Sequence, residues 1–133
     1  MDSAISTTRS GRVAVVDDEP MIGDVVQRTL RKVYEVSLFE GEGGLVKSLS
    51  EGQRYDLILC DLFLAGSSGR GVFERLHAEW PDQAERIVFM SGVSSEEEWR
   101  EIVGDLGREF LKKPFSLEAL RDLADRYVAA AQG

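Results

Sequence analysis

Apolar residues along this chain fall into two kinds of run. Val13-Ala14-Val15-Val16, Tyr34 to Phe39, Leu57-Ile58-Leu59-Cys60, Arg86 to Met90 and Glu109-Phe110-Leu111 are short and nearly continuous, as in strands buried on both faces of a parallel sheet. Between them, apolar positions recur at helical spacing: Ile22, Val25, Val26, Leu30 and Val33; Val72, Phe73, Leu76 and Trp80; Trp99, Ile102, Val103 and Leu106; Leu117, Leu120, Leu123, Tyr127 and Val128. Local signals agree with these bounds. Pro20 suits a first helical position, Pro81 a stop, Ser94 with Glu97 or Ser95 with Glu98 a capping box, and Ser116 a cap. The glycines between Gly41 and Gly52 leave room only for a short helix around Leu45 to Leu49. Ala65 to Gly69 reads as a loop, residues 1–10 as a disordered lead, and residues 11–131 as one domain. Strands alternating with helices predict a parallel sheet covered on both faces, and right-handed crossovers then make it doubly wound.

Composition narrows what such a domain does. With 133 residues, 43% of them hydrophobic, the chain can bury a core without staples. Its 16 Lys and Arg against 24 Asp and Glu leave a net charge of −8, which opposes direct binding to nucleic acid or to an anionic membrane. The one cysteine, Cys60, lies in an apolar strand and reads as a buried, inert thiol, which fits a reducing compartment. Met1 to Ser10 lacks the apolar core of a signal peptide, and no run approaches the ~18 residues of a membrane span. The expectation is a cytoplasmic protein with no membrane contact.

Placed in such a sheet, the polar residues that close the strands share its carboxyl edge, where ligands gather in open α/β folds. They are Asp17 and Asp18, Asp61, Ser91 and Lys113. Three carboxylates crowded together repel one another and call for a compensating cation, and hard oxygen donors of this kind suit Mg²⁺.

Val-Val-Asp-Asp-Glu-Pro at Val15 to Pro20, the lone Asp61 closing the third strand, Met90-Ser91-Gly92 closing the fourth and Lys112-Lys113-Pro114-Phe115 after the fifth resemble the motifs of response-regulator receiver domains. That resemblance implies a flavodoxin-like five-stranded sheet of order 2-1-3-4-5 with five helices. It implies that Asp61 is the phosphoacceptor, taking a phosphoryl group from a histidine kinase or histidine phosphotransfer protein, with Lys113 and Ser91 assisting. Asp18, Asp61 and the backbone carbonyl of Phe63 would ligate Mg²⁺, and Asp17 would act largely through a bound water. Ser91 and Phe110 take the positions of switch residues. A surface formed by the fourth helix, fifth strand and fifth helix would meet a downstream protein partner or a second copy in a homodimer. The chain would act as a stand-alone regulator or as a piece of a hybrid kinase or longer regulator. Lys113-Pro114 is expected to be a cis peptide, which aims the lysine back over the strand edge.

Blander readings exist for each residue alone: Asp18 and Glu19 as helix N-terminal charges, Ser91 as a turn residue, Lys113 as a solvated lysine. They do not explain why all fall at strand ends. His77, the one histidine, has no clustered partner in the sequence and reads as a surface residue rather than a phosphodonor or metal ligand. Leu64-Ala65 departs from the family's Met-Pro pair, Gly69 keeps its glycine, Ser91 replaces the commoner threonine, and Phe110 lacks a phenolic oxygen. Met90-Ser91-Gly92 resembles receivers attached to sensor kinases. By the same resemblance, Phe63 and Val93 hold the positions that could orient a hydrolytic water, and neither side chain hydrogen-bonds, so a long-lived phosphoryl group is expected. Two rivals remain. A Mg²⁺-dependent phosphohydrolase of the haloacid-dehalogenase pattern needs an acid two residues after the nucleophile, where this chain has Phe63. A receiver-like scaffold that never accepts phosphate typically lacks the acids or the lysine.

Overall fold

The computed structural model describes residues 11–64, 66–92, 97, 100–101 and 104–132. Among them β1 (Arg12–Val16), β2 (Glu35–Phe39), β3 (Leu57–Asp61), β4 (Ile87–Ser91) and β5 (Glu109–Lys112) form one parallel sheet in the order β2-β1-β3-β4-β5. The fold is the flavodoxin-like one expected. The continuous apolar runs become strands because both faces are covered, and alternate residues serve opposite layers. Ala14, Val16, Ile58, Cys60, Ile87 and Phe89 face one layer, completed by Leu45 and Leu49 of the helix Glu42–Ser50 and by Val72 and Leu76 of the helix Gly69–Glu79. Val13, Val15, Leu57, Leu59, Val88 and Met90 face the other, covered by Val26 and Leu30 of the helix Pro20–Leu30 and by Leu120, Leu123 and Ala124 of the C-terminal helix Leu117–Gln132. Each fully buried aliphatic side chain contributes roughly 1.5–3 kcal/mol, so the pair of layers holds the strand ends in place. No described helix is long and apolar enough to cross a membrane.

Below, α1 denotes Pro20–Leu30, α2 Glu42–Ser50 and α3 Gly69–Glu79. Several bounds differ from the sequence reading. The first helix stops at Leu30, leaving Val33 in a turn and 61% exposed. The second begins at Glu42 despite Gly43 and Gly44, because burying Leu45 and Leu49 outweighs the low helix propensity of its first turn. The segment after Leu64 is more ordered than a plain loop: Ser67 and Ser68 pair antiparallel with Leu64 and Phe63, Gly66 turns the chain at φ +75°, and Gly69 opens α3. Pro81 ends α3 and also starts a single helical turn, Pro81–Ala84. Leu106, expected on a helix face, lies in a 3₁₀ turn at Gly104–Leu106 and packs half-buried against the first layer. Of the fourth expected helix, Glu97, Arg100 and Glu101 are helical. Met1 to Ser10, Ala65, Val93, Ser94, Ser95, Glu98, Trp99, Ile102 and Val103 lie outside the described residues.

The amino end of β3 is closed by local polar pairing. Asp56 Oδ2 accepts the Arg12 backbone N–H at 2.8 Å, and its own N–H donates to the Arg12 carbonyl at 2.8 Å. Gln83 completes the edge with its side chain, Oε1 accepting the Tyr55 N–H at 2.8 Å and Nε2 donating to the Tyr55 carbonyl at 3.1 Å.

Candidate functional site

The carboxyl end of the same strand is built differently. Asp61 is the last residue of β3, flanked by the ends of β1 and β4. Asp17 follows β1, its N–H donating to the Phe39 carbonyl of β2 at 3.0 Å, so the backbone is fixed up to that residue. Its Oδ1 accepts the Glu19 N–H at 2.8 Å, an Asx turn that leads into α1 at Pro20. Asp61 Oδ1 accepts the Phe63 N–H at 3.2 Å. Lys113 leaves β5 with its N–H bonded to the Ser91 carbonyl at 2.8 Å, and the Lys113-Pro114 peptide is cis, as expected. Its Nζ donates to Asp17 Oδ2 at 2.9 Å, to Glu19 Oε1 at 3.1 Å and to Asp61 Oδ2 at 3.4 Å. The side chains of Asp17 and Asp61 are 1% and 8% exposed, and that of Lys113 14%.

Burial raises the Asp61 carboxyl above the usual carboxylate range. The Phe63 N–H opposes that rise, the Asp17 charge adds to it, and Lys113 draws it back. For Lys113, burial disfavours the charge, but hydrogen bonds to Asp17 and Glu19 and the charges of Asp17 and Asp61 prevail and hold its pKa above the ordinary lysine value. The ammonium therefore stays charged where the carboxylates need it. Cys60, fully buried one residue before Asp61, has its thiol pushed far up by burial, with the charges of Asp61, Asp17 and Glu42 adding. It is protonated and unreactive.

Asp17, Glu19 and Asp61 each offer a carboxylate oxygen within 4.8 Å of the others. An all-oxygen set with more negative charge than Lys113 neutralises fits a hard divalent cation such as Mg²⁺. Asp18, which the resemblance made a direct ligand, is exposed and stands outside this set. Glu19 takes the third place: its N–H is bonded to Asp17 Oδ1, and its Oε1 accepts from the Lys113 Nζ that also reaches Asp17 and Asp61. The sequence reading treated Glu19 only as a helix-terminal charge. An aspartate three positions before Pro20, Asp17, would have signalled the turn.

The remaining candidates sit around this group. Ser91 closes β4 and is 1% exposed. Phe110 is half-buried on β5, in register with Phe89. Phe63 lies just past Asp61 with 56% of its surface exposed. Val93 is outside the described residues. His77 is exposed on α3 and stacks on Phe73 with ring centroids 5.8 Å apart. Gly69 was noted in the sequence only as a motif glycine, and the structure gives its reason. A Cβ there would lie 2.8 Å from the Asp61 carbonyl oxygen and 2.9 Å from the Phe89 ring.

A family model described as "Response regulator receiver domain" matches residues 13–125. The chain is 32% identical over 111 residues to the hydrogenase transcriptional regulatory protein HoxA of Bradyrhizobium diazoefficiens, covering 83% of this chain and 22% of that protein. It is 34% identical over 113 residues to the transcriptional regulatory protein DltR of Streptococcus agalactiae, covering 82% of this chain and 48% of that one. The chain thus spans about half or less of the length of these curated relatives. Among solved structures, the receiver domain of sensor histidine kinase PA1611 from Pseudomonas aeruginosa, with a magnesium ion coordinated in its active site cleft, superposes with a TM-score of 0.76 at 26% identity, covering 91% of this chain and 99% of that one.

Proposed function

The chain belongs to the response-regulator receiver domains, and on that premise we propose that Asp61 accepts a phosphoryl group from a histidine kinase or histidine phosphotransfer partner in a Mg²⁺-dependent reaction. The observation that carries this reading is the contact of Lys113 Nζ with both Asp17 and Asp61, which joins the ends of three strands at one buried carboxylate. A carboxylate oxygen of Asp61 attacks the phosphorus of a phosphohistidine. The O–P bond forms as the P–N bond breaks, and the imidazole nitrogen leaves with the electron pair and is protonated from solvent. Mg²⁺, when bound, neutralises charge on the transferring oxygens. Asp17 and Asp61 would hold it, with Glu19 or Asp18 and the Phe63 carbonyl completing the set. Lys113 moves its hydrogen bond from Asp61 to a phosphoryl oxygen, so its charge stays compensated throughout. The Ser91 hydroxyl donates to another, drawing its loop toward Asp61. Phosphorylation adds ≈ −1.5 to −2 charges and shifts a two-state surface that includes Phe110 toward a downstream partner or a homodimer.

Membership of the receiver domains supports a cytoplasmic setting for this chemistry, and the whole protein's output depends on what the receiver is joined to or meets. Exposed Phe63 offers no hydrogen bond to a hydrolytic water, which supports slow loss of the phosphoryl group. The test is incubation with Mg²⁺ and acetyl phosphate, read by intact mass. One phosphoryl group is expected on the parent chain and none on Asp61→Asn. Full uptake by that variant contradicts the assignment.

A further inference from the structure

The loop that follows Asp61 is held from outside the site. Its hairpin pairs Phe63 with Ser68 and Leu64 with Ser67. At the near end, the Phe63 N–H donates to Asp61 Oδ1. At the far end, Ser67 Oγ donates to Glu42 Oε1 at 2.9 Å, a bond that crosses to the first turn of α2. The second oxygen, Glu42 Oε2, lies 3.5 Å from Arg75 Nη1 on α3, and Arg75 Nε donates to Glu79 at 2.6 Å. A carboxylate acceptor that is only 25% exposed makes a stronger bond to a hydroxyl than water-exposed neutral partners do. Glu42 therefore ties the hairpin to two helices at once.

We propose that Glu42 is a positioning residue for the phosphoryl chemistry: by holding Ser67 it fixes the hairpin, and with it the backbone and ring of Phe63, against Asp61, and so sets the lifetime of the acyl phosphate. This rests on the reading of Asp61 as phosphoacceptor. The effect is local rather than structural. Below the hairpin, every residue of β3 is buried in the sheet, and α3 keeps its cap through Ser68 Oγ and the Gly71 N–H at 3.0 Å, so neither depends on the Ser67 bond. Releasing Ser67 frees the tip and Phe63 while β3 stays in place. Water then reaches the phosphorus more often, and the Phe63 carbonyl and N–H lose their fixed placement at the site. Shifts well under 1 Å in such a group change rates measurably.

The experiment compares Glu42→Ala, Ser67→Ala, the double variant and Glu42→Gln. Acyl-phosphate half-life is followed at fixed Mg²⁺ and pH, and amide hydrogen exchange at Phe63 is followed in the unphosphorylated proteins. Either alanine variant is expected to shorten the half-life about threefold or more and to speed Phe63 exchange by a similar factor, the double doing no more than one single because both cut the same bond. Glu42→Gln keeps an oxygen for Ser67 and stays near the parent in both readouts. Melting temperatures stay together across the set. Unchanged half-life and exchange in both alanine variants overturn the proposal, and so do singles whose effects multiply in the double. Should the parent chain take up no phosphoryl group, the reading of Asp61 fails instead, and Phe63 exchange alone then decides whether Glu42 holds the hairpin.

Discussion

Strand β3 is bracketed by two aspartates that are buried to nearly the same degree, Asp56 at 5% exposure before it and Asp61 at 6% at its end. Burial does not separate them; their neighbours do. Asp56 faces backbone, accepting the Arg12 N–H while its own N–H closes the pair, so its carboxylate is met by donors that cost nothing to orient. Asp61 faces a second carboxylate, Asp17, across a shared lysine. A buried group paired with its complement stabilises a fold. One crowded by its like destabilises the fold until a cation or a phosphoryl group changes the balance, and that is where chemistry is stored.

The sharpest way to break this comparison is to give both positions the same substitution. Asp61→Asn removes phosphoryl uptake altogether, whereas Asp56→Asn, measured by the same intact-mass assay, keeps it. Loss of uptake in both would mean that strand placement, not the carboxylate pair, is what the assay reads.

Gly69 extends the contrast to the backbone. A methyl group there must displace the Asp61 carbonyl or the Phe89 ring, so Gly69→Ala is expected to destabilise by about 1–3 kcal/mol in urea unfolding, the usual cost of overpacking a tight site. No loss would show that the approach of α3 to β3 is looser than its distances indicate.

Stability should move in opposite directions at the two aspartates. Asp56→Ala strands the Arg12 N–H and is expected to cost about 1–2 kcal/mol. Asp61→Asn, in the absence of Mg²⁺, removes a carboxylate whose pKa is raised in the folded state, chiefly by burial, and is expected to gain stability at neutral pH. The sign follows from linkage. A group with a raised folded pKa adds stability only below its unfolded value and loses it as pH rises through the folded one, so near pH 7 ionised Asp61 opposes folding. Equal signs for the two variants, by chemical denaturation, would dissolve the distinction.

The smallest effect lies away from the site, at the side of the sheet's amino edge. Burial and a hydrogen bond to Asp125 push the Tyr34 phenol up to about 12. Its contribution to stability is complete below the ordinary tyrosine value of 10.0 and fades as pH climbs from there to about 12. Ultraviolet titration should show Tyr34 ionising late, as Tyr127 does through burial and Glu109, and Asp125→Asn should bring Tyr34 alone earlier.

How far the sequence could be read follows the same division. Elements carried by burial were legible: the two-sided strands because each alternate residue has its own apolar layer, and α1, α3 and the C-terminal helix because their apolar stripes match the period of a helix. Asp17, Asp61, Ser91 and Lys113 were legible because strand ends in a parallel sheet have one edge to share. What escaped depends on short polar geometry. Nothing in composition brings Glu19 beside Asp17 and Asp61; the Asx turn at Asp17 and the shared lysine do. The Glu42 to Ser67 bond joins residues 25 apart through the hairpin's shape, and the pairing of Ser67 and Ser68 with Leu64 and Phe63 needs the turn at Gly66. The helix at Glu42 was shortened on propensity, which the burial of Leu45 and Leu49 overrides.

The most direct test of the account is to find which carboxylate carries the phosphoryl group. The chain is phosphorylated with Mg²⁺ and acetyl phosphate, the acyl phosphate is reduced with borohydride, and the modified residue is located by peptide mass spectrometry. The account predicts modification at Asp61 alone, with Asp17, Asp18, Glu19 and Asp56 untouched. Modification at Asp17 or Asp18, or at Asp56 as readily as Asp61, would contradict it.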